Sequence, residues 1–137
     1  RPPRSTLFPT RRSSDLLFGN ASEVDAANLK RDLDAILYDG EQVVRAFKIV
    51  RDLFIFTDKR LVLVDKQGVT GKKVEYHSIP YRAISHFSVE TTGTFDLESE
   101  LKIYISSNPE PIQRTFRRGA DIVGVQKTLA QYVLRGG

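Results

Sequence analysis

The chain contains no cysteine, no methionine and no tryptophan, and only six prolines among its 137 residues. Without cysteine there is no disulfide, no thiolate metal site and no cysteine nucleophile, which fits a reducing compartment and leads us to expect the cytoplasm. No apolar run approaches the ~18 residues of a membrane-spanning helix. Only two histidines, His77 and His86, offer a base of near-neutral pKa. With 40% apolar residues the chain is not of a disordered composition, and its length suits one domain.

Charge of one sign is also scarce once its location is considered. The chain carries 21 basic and 17 acidic residues, a formal +4. Residues 1–16 hold Arg1, Arg4, Arg11 and Arg12 against Asp15 alone, so 17 basic and 16 acidic residues remain beyond them. The apparent basicity, which would invite nucleic acid, therefore belongs to the leader. That leader, RPPRSTLFPTRRSSDL, has no helical or strand period and is too polar and Pro-broken for a secretory signal. A targeting presequence is one reading. A foreign segment fused to a truncated gene is the one we prefer, because the chain has no methionine to start from and TLFPTRRSSDL looks like a translated sequencing adapter. We place the domain at residues 17–137.

Ala26, Leu29, Leu33, Ile36 and Leu37 recur at spacings of three and four, predicting a helix from Ser22 to Leu37, capped by Ser22 and ended by Asp39-Gly40. Beyond Gly40 the period becomes two. Seven strands are expected at 42–50, 53–57, 60–65, 73–79, 84–91, 97–106 and 112–117, separated by turns short enough to require antiparallel neighbours. In the sixth, Leu101, Ile103 and Ile105 share the core face. Ile122, Val125, Leu129, Tyr132 and Val133 return to helical spacing. Seven meandering strands leave open edges unless the sheet curls, and a final amphipathic helix can plug the end of such a barrel.

Arg51 to Ser106, with the hairpin turn Thr57-Asp58-Lys59-Arg60, resembles the bacterial pleckstrin-homology (PH) domain family, formerly a domain of unknown function; the likeness extends over Leu16 to Asp25 and into the last helix. The resemblance implies a mainly β fold, a partly open seven-stranded antiparallel barrel capped by a C-terminal helix, with an N-terminal helix added. It also implies a cytoplasmic, non-enzymatic protein prone to form ring-like homo-oligomers.

The residues themselves offer little chemistry. In strict alternation His77 and His86 face solvent, while Ser78 and Ser85 point to the opposite face from their neighbouring histidines, so no nucleophile and base converge. Two histidines without cysteine give no familiar metal spacing. Gly68 to Lys73, GVTGKK, has two residues between its glycines where a phosphate-binding loop needs four. Asn20-Ala21-Ser22 matches a glycosylation triplet but begins a helix. We expect no cofactor and no metal.

Two surfaces remain as candidates. Lys59, Arg60, Lys66, Lys72 and Lys73 fall in or beside two early loops that could meet at the barrel mouth and attract anionic lipid or a phosphorylated ligand; Asp58 and Asp65 dilute that charge, and solvated loop charges are the plainer reading. In eukaryotic PH domains the first strand-strand loop supplies basic residues for phosphoinositides, and here it is the tight Lys48-Ile49-Val50-Arg51-Asp52 with an acid in it. Leu16, Leu17, Phe18, Leu29 and Leu33 form the second candidate, an apolar stripe beyond what the barrel needs. It serves either as an oligomer interface or as packing on the chain's own barrel. The leading expectation is a self-assembling adaptor that contacts proteins, with lipid as the alternative; nucleic acid ranks third, since Phe54, Phe56 and Phe87 read as core and the apparent basicity belongs to the leader.

Overall fold

The computed structural model describes residues 23–49, 52–67, 72–95 and 97–135. The chain divides into two units, Arg1–His77 and Ser78–Gly137. The first holds helix α1 (Glu23–Ile36) and strands β1 (Val43–Ile49), β2 (Asp52–Thr57) and β3 (Arg60–Gln67), and strand β4 (Lys73–Pro80) runs out of it into the second. These strands form one sheet in the order β1-β2-β3-β4. The second unit holds a single 3₁₀ turn (Tyr81–Ala83), strands β5 (Ile84–Thr91), β6 (Ser99–Ile105) and β7 (Ile112–Phe116) in a sheet of that order, and helix α2 (Ile122–Val133). All seven expected strands and both helices are present, with ends shifted by one or two residues; the Ser22 cap lies outside the described residues.

β2 and β3 read as unbroken apolar runs, Leu53 to Phe56 and Leu61 to Val64, because their sheet is buried on both faces. On one face Ala46, Leu53, Ile55, Val62 and Val64 pack against Leu33 of α1, with Ile36 and Leu37 beside it. The opposite face carries Phe47, Phe54, Phe56, Leu61 and Leu63, none more than 8% exposed. Phe47 and Phe56 meet edge to face there, ring centroids 5.9 Å apart. A β-bulge between Val43 and Arg45 shifts β1 against β2, so that Val43 and Ala46 both reach the helix side.

Leu33 therefore corrects one expectation. It is 2% exposed and lies in the core of its own chain, so it is not an oligomer interface. Of the stripe's two readings, packing on the same chain holds for this residue. Leu16, Leu17, Phe18 and the side chain of Leu29 lie outside the described residues.

In the second unit β6 shows the expected alternation over most of its length: Leu101 and Ile103 are fully buried, whereas Glu100, Lys102 and Tyr104 are half-buried on the other face; Ile105, expected in the core, is only half-buried at the strand's end. α2 buries Ile122, Val125, Thr128 and Leu129, and the Thr128 hydroxyl is satisfied by donating to the Gly124 carbonyl at 2.8 Å. Asp121 caps this helix by accepting from the Gly124 amide at 2.9 Å. Among the described residues no helix is long and apolar enough to cross a membrane.

Because Leu33 is the most buried side chain among the described residues of α1, Leu33→Ala should cost about 2–4 kcal/mol of unfolding free energy. Denaturant titration of the full chain measures this; a loss below about 1 kcal/mol would mean that α1 adds little to the stability of the sheet.

Candidate functional site

The five basic residues proposed as one anion site do not form one. In an antiparallel meander, successive hairpins turn at opposite ends of the sheet, so the β2–β3 turn with Lys59 and the β3–β4 turn with Lys72 are separated by the length of β3. From Arg60 to Lys66 that strand spans ~20 Å. Lys66, Lys72 and Lys73 stay together at the β3–β4 end, where the register also places Lys48 of β1 and Asp52 of β2. Asp52 accepts from the Lys66 amide at 3.0 Å and keeps an acid at that end. Lys59, Lys72 and Lys73 are exposed. Gly68 and Gly71 lie outside the described residues.

Arg60 is removed from the site for a second reason. Its Nε and Nη2 donate to the two carboxylate oxygens of Glu41, each at 2.8 Å, and Nη2 also donates to the Ile36 carbonyl at the end of α1, at 2.7 Å. This fork-to-fork pair commits Nε and Nη2 to the protein's own groups. The Glu41 side chain is fully buried and that of Arg60 is 22% exposed. Glu41 further accepts from the Thr57 hydroxyl at 2.7 Å and the Tyr38 amide at 3.3 Å. Thr57 Oγ1 in turn accepts from the amides of Lys59 and Arg60 and so shapes the hairpin. Asp58 accepts from the Gln42 amide at 2.9 Å. The Thr57-Asp58-Lys59-Arg60 turn is thus a structural clasp. Its partner Glu41 carried no signal in the sequence beyond following a turn glycine, since an isolated glutamate reads as solvated.

Burial pushes the Glu41 carboxyl up, but the hydrogen bonds from Arg60, Thr57 and Tyr38, with the charge of Arg60, outweigh it and hold the group below the usual carboxylate range. Arg60 is raised, chiefly by its hydrogen bond to Glu41.

The histidines are exposed, as expected, but strict alternation fails at one of them. A β-bulge between Ile84 and His86 brings Ser85 to the same side as its neighbour. Ser85 Oγ lies 3.1 Å from His86 Nδ1, and His86 stacks on Tyr104 with centroids 4.1 Å apart. The expectation that Ser85 and His86 point apart is therefore wrong. Ser85 Oγ also lies 3.1 Å from the Tyr104 carbonyl, so its one proton has a backbone acceptor besides the imidazole. Among the described residues no carboxylate bonds the other ring nitrogen. No group of three His, Asp or Glu among them could hold a metal ion.

Two antiparallel sheets of four and three strands followed by one C-terminal helix define a protein of the PH fold. The match to known proteins is direct. The bacterial PH domain family matches residues 13–133, and the chain belongs to it. A pleckstrin homology domain from Shewanella amazonensis SB2B is 61% identical with a TM-score of 0.72, covering 84% of this chain and 93% of that one. A DUF1696 family protein with a pleckstrin-homology domain from Shewanella loihica PV-4 is 52% identical, TM-score 0.66, covering 78% and 92%. The uncharacterized protein YjqA of Bacillus subtilis is 56% identical over 117 residues, 85% of this chain and 94% of that one.

Arg60→Ala would leave Glu41 buried without its partner, and we expect a loss of about 3–5 kcal/mol at neutral pH. In the parent, the stabilisation from Glu41 is present above the ordinary carboxylate pKa and is lost as pH falls through the lower folded value. In the variant only burial and the weaker hydrogen bonds act on Glu41, its pKa rises, and acid restores stability. The two stability curves, measured by denaturant unfolding, should converge from neutral pH towards about pH 4. A gap that stays constant would show that the buried charge is not what Arg60 neutralises.

Proposed function

We propose that this domain is a non-catalytic cytoplasmic adaptor that binds proteins and assembles with copies of itself through β4. The observation that supports this reading is the open edge of that strand. Among the described residues β4 has β3 as its only sheet neighbour, and from Glu75 to Ser78 four consecutive side chains are exposed on both faces. Proteins that stay monomeric blunt such an edge with bulges, proline or inward charges. Here Pro80 guards the last position and Lys73 and Glu75 bring charge to the strand, but an aromatic, Tyr76, stands mid-strand at 37% exposure. Its hydroxyl is hydrogen-bonded to Asp32 of α1, and burial followed by the Asp32 charge pushes its pKa up, so it stays neutral. β1, the other edge, offers less, since its side chains are mostly buried or half-buried. Pairing of the β4 edge with a different surface of the next copy is heterologous and closes into a ring if the rotation permits. The Ser85 geometry supports the non-catalytic part, because a backbone carbonyl 3.1 Å away competes with the imidazole for the hydroxyl proton.

Light scattering after gel filtration tests assembly. The full chain should give a defined mass of several subunits, and Tyr76→Lys, which places a charge on the edge, should reduce it towards one. A monomeric parent would overturn the reading.

A second reading rests on Lys66, Lys72 and Lys73 at one end of the first sheet: peripheral binding of anionic lipid or a phosphorylated ligand. Each basic residue near an anionic surface contributes about 1 kcal/mol, so Lys72→Glu with Lys73→Glu should lower liposome binding at least tenfold, and added salt should weaken it. Binding that ignores both changes would remove lipid from consideration.

A further inference from the structure

Two of the large apolar side chains left exposed among the described residues lie in one place. Phe95, 51% exposed in the β5–β6 loop, and Val123, 39% exposed in the first turn of α2, line the same open groove of about 550 Å³. Arg118 lines it as well, and the turn explains how that side chain is presented. The Ala120 amide donates to the Arg117 carbonyl at 3.0 Å across a four-residue turn, and its third position, Gly119, has φ +93°. Glycine is required there for its backbone, since an added Cβ would meet nothing within 4 Å. Arg118 is thereby held at the apex, exposed, with no hydrogen bond or ion pair to another described residue. Asp121 also borders the groove, but its Oδ1 is taken by the Gly124 amide and its charge offsets the positive end of α2. Asp121 keeps part of its charge at the groove's border, and Arg118 is the charged group there that no described residue pairs.

The geometry points to a docking site for a partner polypeptide segment that presents an apolar side chain next to a carboxylate. The apolar side chain lies between Phe95 and Val123, and the carboxylate pairs with Arg118. A peptide fits better than a free metabolite, because small-molecule sites bury ~70–90% of their ligand, whereas this groove is open and Phe95 remains half in solvent. The inference rests on the adaptor reading and names the class of protein segment it would take, at a surface away from the β4 edge in sequence.

The test is titration of the full ¹⁵N-labelled chain with three probes. These are a blocked peptide alternating glutamate and phenylalanine, the same peptide with glutamine for glutamate, and phenylacetate. The acidic peptide should shift the amides of Phe95 and of residues 119–123. The glutamine peptide should bind about threefold more weakly, the scale of one exposed charge pair, and Arg118→Gln should produce the same loss with the acidic peptide. Phe95→Ser should weaken all binding at the groove, and each variant's own spectrum reports that it is folded. Absence of shifts at these amides, equal binding of the acidic and glutamine peptides, or variants that bind as the parent does would overturn the proposal. So would phenylacetate matching the peptide, which would assign the groove to a small molecule. Subunit mass is read independently of these titrations, so failure of the groove and failure of self-assembly are told apart.

Discussion

The ion pair between Glu41 and Arg60 is the interaction on which the first unit depends. Taking a carboxylate and a guanidinium out of water costs several kcal/mol per ion, and their attraction offsets this only if the remaining hydrogen-bonding capacity is used. Here it is used. Glu41 accepts four hydrogen bonds, from Tyr38, Thr57 and both arms of Arg60. The same guanidinium reaches an orphan carbonyl in the last turn of α1. Three separate pieces of chain, the end of the helix, the turn after it and the β2–β3 hairpin, are thereby fixed at one point. The turn itself closes through Glu41 N to Tyr38 O at 3.0 Å with Gly40 at φ +92°, so the glutamate arrives at the pair with its backbone already set. Once the helix end is pinned, Leu33 falls over Ile55 and Val62, and hydrophobic burial supplies what the polar clasp only orients.

The elements were legible because they rest on local periods. A stripe at three and four residues or an alternation at two survives whatever the rest of the chain does, and Leu101 with Ile103, or Ile122 with Val125 and Leu129, are buried as their spacing demands. The misreadings all involve distance along the chain or a broken period. Glu41 and Arg60 are 19 residues apart, and nothing local to either states that it is buried. The bulges at Val44 and Ser85 each insert one residue into a ladder, which turns over every inference about facing that assumes strict alternation. The division of the lysines between two ends of the sheet follows from antiparallel topology alone. The sequence held that information, but a loop-by-loop tally of charge passes over it.

The same facts bear on what kind of work the fold can do. Beside the Glu41–Arg60 pair, several ordered polar side chains spend their capacity on backbone: Asp52 on Lys66, Asp58 on Gln42, Asp121 on Gly124, Ser85 on Tyr104, Thr128 on Gly124. Each holds a turn, a strand end or a helix. Catalysis needs the reverse arrangement, in which positioned groups keep a lone pair or proton unspent and converge on one point. Charged groups with no partner among the described residues, such as Lys72, Lys73 and Arg118, are instead exposed. Charges of that kind cannot drive a bond rearrangement, because solvent screens them and nothing fixes their geometry. They can select a partner of opposite sign, since recognition over a surface tolerates mobile side chains and draws its orientation from apolar contacts nearby. Phe95 and Val123 beside Arg118, and Tyr76 on an open strand edge, are such contacts, and the proposed binding role rests on this pairing of unspent charge with exposed apolar surface.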